Sequence, residues 1–386
     1  MKSSYMEPGM KTYDCAIIGG GLAGLCLAIQ LAEKDIDVVL FEKNEYPFHK
    51  VCGEYISMES LDFLKRLGLP FEALNLPVIN ELGISSEKGF ILDHTMKMGG
   101  FGISRYSLDH HLSRIAILKH VTLLQNCKVN AVEKKDGQDY EIYTSQGIFS
   151  AGIVCGSYGK YTPSFIQKDE DYAAVENKDG VNYIGVKYHI KTDLAQNRIE
   201  LHNFSDGYCG ISKVDNGWYC LCYLTTSRNL QNHGKDIKAM EAQVLYKNPY
   251  LKRYFSESEF VHSAPLAISN IHFSKKQTHV RDMFLLGDAA GTITPLCGNG
   301  MSMGMRASFL LATELVRYFQ KQSSLEEALA GYSLAWNRNF RQRITAGHYL
   351  QSLFGKKNTT HFALKTLAQV PVVMDKLVAL THGQAF

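Results

Sequence analysis

A glycine turn set between two apolar runs constrains this chain more than any other feature. In residues 13–43, YDCAIIGGGLAGLCLAIQLAEKDIDVVLFEK, the run at 15–18 reads as a buried parallel strand. Gly19, Gly21 and Gly24 make a G-x-G-x-x-G turn, and residues 25–32 carry helical periodicity. A second apolar run at 38–41 ends at Glu42. Glycines allow a tight turn, close backbone approach to a pyrophosphate and close helix–strand packing. The helix start offers free N–H groups, and an acid about twenty residues on accepts ribose hydroxyls. A lone glycine fingerprint is weak. With a strand before it, a helix after it and Glu42 ending the next strand, it specifies a dinucleotide site.

The chain has 386 residues, enough for two or three domain-sized units and a large core. A formal charge of +3 with no long Lys/Arg cluster excludes nucleic acid as an expected partner. Nine cysteines without regular spacing do not form a disulfide framework, so a reducing, cytoplasmic setting is expected. Residues 1–12 lack the apolar core of a secretory signal, and no run approaches the length of a spanning helix. Histidine spacing shows no metal motif, so no metal is expected.

Organisation follows the change in hydrophobic period. Residues 12–80, 103–171 and 275–322 alternate apolar strands with helical segments and read as a discontinuous nucleotide-binding unit. Residues 81–102 and 172–274 are mainly strand-like, with Asp/Asn/Gly turns and few helical connections. They read as an inserted antiparallel sheet that binds substrate. Residues 323–386 form a helical tail broken at Gly355 and Pro371. The fold class is therefore α/β plus α+β: a Rossmann-like domain, an inserted sheet domain and C-terminal helices.

A second signature lies far down the chain. Gly287-Asp288-Ala289-Ala290 follows a strand and precedes Pro295, Gly298, Asn299, Gly300 and a helix. A carboxylate there suits a sugar-alcohol hydroxyl. The N–H groups of Gly300, Met301 and Ser302 at a helix start suit negative charge on a ring.

The two signatures together resemble the FAD-dependent oxidoreductases of the para-hydroxybenzoate hydroxylase fold, over roughly residues 12 to 320. That superfamily includes aromatic hydroxylases, flavin halogenases and geranylgeranyl reductases. The resemblance implies noncovalent FAD, with Gly19, Gly21, Leu22, Ala23 and Gly24 at the pyrophosphate and Glu42 and Lys43 near the adenosine ribose. Lys50 and Arg105 are implied as further cofactor contacts, and Val129 as a backbone contact to adenine. Gly287 and Asp288 would meet the ribityl or pyrophosphate part, with residues 295–302 along the isoalloxazine. NAD(P)H or another external reductant would reduce the flavin transiently, because only one complete fingerprint is present.

Departures from the family pattern select a branch. Tyr158-Gly159 stands where hydroxylases carry Asp-Gly, and Gly291 where most carry His. The Trp-x-Trp motif of the halogenases is absent; Trp218 has no such partner. Lys50-Val51-Cys52-Gly53 matches the reductases' K-x-C-G, which would set Cys52 against the flavin as a catalytic thiol. A small buried thiol is the alternative reading. Of the reductases' aromatic strand only Tyr208 is kept, as a substrate contact, with Gly210 and Ser212 leaving room. The nearest branch is geranylgeranyl reductase-like, reducing C=C bonds of a hydrophobic small molecule. A monooxygenase acting on an aromatic or polyketide-like substrate is the alternative, and a lipid-binding chaperone without redox turnover the remote one. Residues 362–380, apolar with lysines, read as a helix pair on the sheet or a peripheral membrane contact.

Overall fold

A computed structural model of the chain describes residues 11–134, 138–167, 172, 181–271, 273, 276–291 and 299–386. The apolar runs of the glycine segment form β1 (Thr12–Ile18) and β2 (Val38–Phe41), joined by the helix Leu22–Ala32. β2 is buried along its whole length, which is why it reads as continuous rather than alternating. The remaining strands are β3 (Tyr55–Ser57), β4 (Val78–Ser85), β5 (Ile91–Gly102), β6 (Thr122–Leu124), β7 (Val129–Lys134), β8 (Tyr140–Thr144) and β9 (Gly147–Gly156). They continue as β10 (Tyr183–Lys191), β11 (Arg198–Phe204), β12 (Gly207–Lys213), β13 (Tyr219–Thr226), β14 (Glu259–Phe260), β15 (Leu266–Ile271), β16 (His279–Val280) and β17 (Met283–Leu285).

Two sheets result. The first runs β16-β17-β9-β1-β2-β6, parallel from β17 to β6, with β8 and then β7 attached to β9. The second runs β14-β10-β13-β12-β11-β4-β5-β3, with β15 also on β10. This Rossmann-like sheet with an inserted second sheet and C-terminal helices is the architecture expected from the pattern. Three details differ. The second sheet is mixed, because β4 and β11 run parallel. It also takes β3 from the first segment, where Tyr55–Ser57 lies antiparallel to residues 100–102 of β5. And its back face is covered by the helices Ile237–Val244 and Pro249–Glu257. The sequence pattern gives a helix over 237–246 but none over the second of these. Its Pro249 reads as a breaker, but Pro sits at the first helical position and Asn248 caps it by accepting from Tyr250 N–H at 3.0 Å.

The tail forms the helices Leu325–Leu353, Lys357–Ala368 and Pro371–Thr381, broken where Gly355 (φ +74°) and Pro371 stand. Its two parts pack in different places. Tyr332, Trp336 and Phe340 of the long helix are buried in the core of the first sheet, and the Tyr332 hydroxyl donates to the Leu285 carbonyl at 3.0 Å. Leu364 and Met374 of the last two helices instead cover Tyr55, Ile79, Leu82, Ile84, Leu92 and Met96 of the second sheet. Among the described residues, no helix is long and apolar enough to cross a membrane.

Candidate functional site

The three fingerprint glycines do three different things. Gly19 has φ +106°, and a Cβ there would lie 2.4 Å from the Ser157 carbonyl oxygen. Gly24 lets the helix close on the turn, since its Cβ would meet the Gly19 carbonyl oxygen at 2.2 Å. Gly21, the N-cap of Leu22–Ala32, is open: a Cβ would meet only the Lys50 ammonium, at 3.8 Å. No side chain caps this helix start, so its N–H groups and Lys50 converge on a space suited to an anion.

Lys50 does not act alone. Its ammonium pairs with Asp109 at 3.0 Å, and Arg105 forks onto the same carboxylate through Nε and Nη2 at 2.9 and 2.8 Å. Burial works to raise the Asp109 carboxyl, but the charges of Arg105 and Lys50 outweigh it and hold the group low. Two cations on one carboxylate leave a net positive charge beside the glycine turn. Arg105, assigned above to the cofactor, is thus held by Asp109, one helical turn on.

Glu42 is buried, and its carboxylate accepts from the Gly20 N–H at 3.0 Å and from Asn44 N–H and Nδ2 at 3.0 and 2.9 Å. The Tyr46 hydroxyl donates to the Gly20 carbonyl. Neither Asn44 nor Tyr46 was singled out from sequence. Lys43 is exposed, while Val129 starts the strand just after Cys127, whose N–H donates to the Glu42 carbonyl at 2.9 Å.

The second signature meets the first in space. A Cβ at Gly287 (φ +61°) would touch the Ala23 Cβ at 3.2 Å, and one at Gly304 would reach it at 3.7 Å. Gln30 Nε2 donates to Ser308 Oγ at 3.3 Å, across 278 residues of sequence. Desolvation raises the Asp288 carboxyl above the ordinary carboxylate range, against the lowering charges of Lys276, Lys160 and Arg105. Asn299 is the N-cap of the helix Gly300–Phe319, and Met301 and Ser302 are buried in its first turn. Pro295 and Gly298 lie outside the described residues. Among the described residues the buried Ser302 hydroxyl has no hydrogen-bond partner, which marks a place for an acceptor or donor from a ligand. An open Gly21, flanking cations and an orphaned Ser302 fit FAD laid between the two glycine motifs. Tyr158, in the middle motif, packs its ring where a Gly156 Cβ would fall, 2.7 Å from its Cε1.

The loop that follows, residues 46–54, is fastened to the second sheet by Glu54, a residue sequence reasoning passed over. Glu54 is fully buried at φ +57°, a backbone state that costs a non-glycine residue about 1–2 kcal/mol. Its carboxylate accepts from Arg105 N–H at 2.8 Å, from His189 Nε2 at 2.7 Å and from the Lys187 ammonium. Burial opposes its charge, yet the His189 hydrogen bond and the Lys187 charge hold the carboxyl low. Lys187 also donates to the Lys50 carbonyl at 3.1 Å. Cys52 is half-buried; its Sγ accepts from Glu54 N–H at 3.5 Å, and the Cys220 thiol donates to its carbonyl at 3.2 Å. Burial pushes the Cys52 thiol up, so the thiol and not the thiolate is the resting form.

Cross-strand register shows what this loop faces. Tyr208, Gly210 and Ser212 of β12 stand opposite Leu224, Cys222 and Cys220 of β13, which stand opposite Gly185, Lys187 and His189 of β10. Directly paired residues share a face. Tyr208 is therefore on the same face as Lys187, buried with Leu224 and Ile271 against Phe354 of the tail. The room expected beside Gly210 is partly taken, since a Cβ there would lie 3.5 Å from Leu201 Cδ2. At the far end of this face His49 stacks on Tyr106, ring centroids 4.6 Å apart. Burial, then the nearby charges of Lys187 and His189, lower the His49 pKa to about 4. Met301, Met303 and Met305 are all buried, as core packing requires.

A family model described as an NAD(P)-binding Rossmann-like domain matches residues 17–51. Conditioned medium factor receptor 1 of Dictyostelium discoideum is 22% identical over 409 residues, covering 95% of this chain and 73% of that protein. Digeranylgeranylglycerophospholipid reductase of Methanocella arvoryzae is 24% identical over 417 residues, covering 95% of this chain and 99% of that protein. The solved structure of the flavin-dependent brominase Bmp2 superposes with a TM-score of 0.78 at 17% identity, over 97% of this chain and 94% of that one. At these identities the likeness is one of fold.

Proposed function

We propose that this protein, whose fold is that of the FAD-dependent oxidoreductases, holds FAD noncovalently and reduces a C=C bond in a hydrophobic small molecule. The observation that carries the reading is the close approach of Ala23 to both Gly287 and Gly304, which brings the two glycine motifs side by side. Gly21, Lys50 and the helix start at Leu22 would hold the pyrophosphate, Glu42 the ribose, and the first turn of Gly300–Phe319 the ring. Bound FAD, once reduced by NAD(P)H or another external donor, supplies hydride.

The chain's own part is position and a proton. Cys52 keeps its proton at Sγ near neutral pH, so it can give that proton to the second alkene carbon as the first takes hydride. Glu54, pinned by Lys187 and His189, fixes the loop that carries it. Tyr208, Leu224 and Ile271, packed with Phe354, would form the closed apolar wall at the substrate's far end. The likeness to a reductase of geranylgeranyl lipids supports this branch. Outward-facing Phe362, Val372 and Leu380 on the last two helices support peripheral contact with lipid, the source of such a substrate.

The deciding experiment is anaerobic. Protein reconstituted with FAD, chemically reduced and mixed with an isoprenoid alkene should yield the saturated product, two hydrogens heavier. Reaction only with oxygen, and insertion of an oxygen atom, would replace the reductase with a monooxygenase. Absence of flavin absorbance after reconstitution would leave a lipid-binding protein of the same fold.

A further inference from the structure

Three histidines far apart in sequence converge at the end of the Lys187 face. His49 comes from the loop after β2, His189 from β10, and His262 from just beyond β14, where Val261 N–H donates to the His189 carbonyl at 2.9 Å. One ring nitrogen from each lies within 4.8 Å of the other two. From these observations we infer that His49, His189 and His262 form a binding site for a divalent transition-metal ion of the Zn²⁺ class, which clamps the loop bearing Lys50 and Cys52 to the second sheet.

Three features favour a site over a chance cluster. His189 commits Nε2 to the buried Glu54 carboxylate at 2.7 Å, leaving Nδ1 as its remaining donor. A carboxylate behind a ligating imidazole fixes tautomer and ring and raises its basicity. The Nδ1 of His49 is buried with no hydrogen-bond partner among the described residues, an uncompensated polar atom that a metal bond would satisfy. His262 is exposed, so its ring is free to close on an ion and leaves the outer side to water. With Zn–N bonds of about 2.0–2.1 Å, ligand nitrogens stand roughly 3.4 Å apart, so the rings need shift by little more than an ångström. All-imidazole donors select Zn²⁺ and its first-row neighbours over Ca²⁺ or Mg²⁺. Glu54, His189 and Cys220 also lie close together, but the Glu54 oxygens are already occupied by His189, Lys187 and the Arg105 N–H. The three-histidine end is the one with donors to give.

Trp218 reports on this place. Its ring centroid is 5.6 Å from that of His189 and 6.0 Å from that of His262, whereas the other tryptophan, Trp336, is buried in the first core. In a Trp336→Phe background, chelator-stripped protein should bind one equivalent of Zn²⁺ in competition with a chromophoric chelator. Ni²⁺ should quench Trp218 fluorescence with the same stoichiometry. His262→Ala, a surface change that leaves folding alone, and His49→Ala should each weaken Zn²⁺ binding tenfold or more and abolish the quenching. Failure to bind Zn²⁺ stoichiometrically at micromolar concentration would overturn the assignment. So would binding and quenching that survive both substitutions.

Discussion

Glu54 and Lys187, 133 residues apart in the chain, share a hydrogen-bonded ion pair in which neither side chain is more than 1% exposed. Breaking such a pair from one side leaves a buried charge without a counterion. Glu54→Ala should therefore cost about 3–5 kcal/mol in urea denaturation. Adding Lys187→Met should recover part of that loss, because the uncompensated ammonium is removed while the His189 and Arg105 N–H donors stay unpaired. A double variant as unstable as the single would show that the pair matters for packing and not for charge. The pH dependence has a definite sign. Since the Glu54 carboxyl is held low in the fold, its contribution is present above the unfolded pKa and is lost as pH falls through the lower folded value.

The glycine turn separates folding from cofactor binding. Gly19→Ala puts a Cβ against the Ser157 carbonyl at a φ of +106°, and should destabilise the protein by about 1–3 kcal/mol or more. Gly21→Ala meets only the Lys50 ammonium at 3.8 Å, so thermal stability without flavin should hardly change. FAD affinity should nonetheless fall tenfold or more, about 1.4 kcal/mol, by equilibrium titration. Full FAD affinity in Gly21→Ala would remove the pyrophosphate from this turn.

Cys52 should be slow to alkylate. Burial raises its thiol, so peptide-resolved labelling with iodoacetamide at pH 7.5 should lag a free thiol, and the rate should still be climbing at pH 9. Cys52→Ser should lower alkene turnover while FAD content stays near that of the parent. Unchanged turnover would return Cys52 to the role of a small packing residue.

Glu241 has its carboxyl raised into the neutral range. The Tyr188 and Tyr223 hydroxyls each donate to it at 2.8 Å, but burial dominates and raises its carboxyl from 4.5 to about 7. The folded acid keeps its proton to higher pH than the unfolded one. Its stabilising contribution is therefore present below about pH 4.5 and lost as pH rises through about 7. Glu241→Gln should gain about 2–3 kcal/mol at pH 8 relative to its effect at pH 4.5. An equal change at both pH values, measured by denaturant titration, would mean the carboxyl ionises freely in the fold.

Much of the fold was legible because its signals are local. A buried parallel strand, a glycine turn and the helix that follows are written in consecutive residues, so residues 13–43 announce their structure before any tertiary contact forms. The tail breaks at Gly355 and Pro371 are equally local, set by a positive φ and a missing N–H. The helix Pro249–Glu257 escaped because it lies in a stretch read as mainly strand, and only its place at the first helical position makes Pro249 compatible with a helix.

Sequence by itself determined the glycine turn, the acid at Glu42 and the existence of a second motif at Gly287, each a consequence of backbone chemistry between near neighbours. Only tertiary structure decided that Ala23 would seat against Gly287 and Gly304, that Arg105 would be held by Asp109, and that Glu54 would anchor the Cys52 loop. The same holds for His49, His189 and His262, which no spacing rule connects. Partners such as Lys187 and His189 come from a strand far along the chain, and their approach is set by sheet register and burial. A side chain's role there depends on charges that meet it only after folding, which no local pattern encodes.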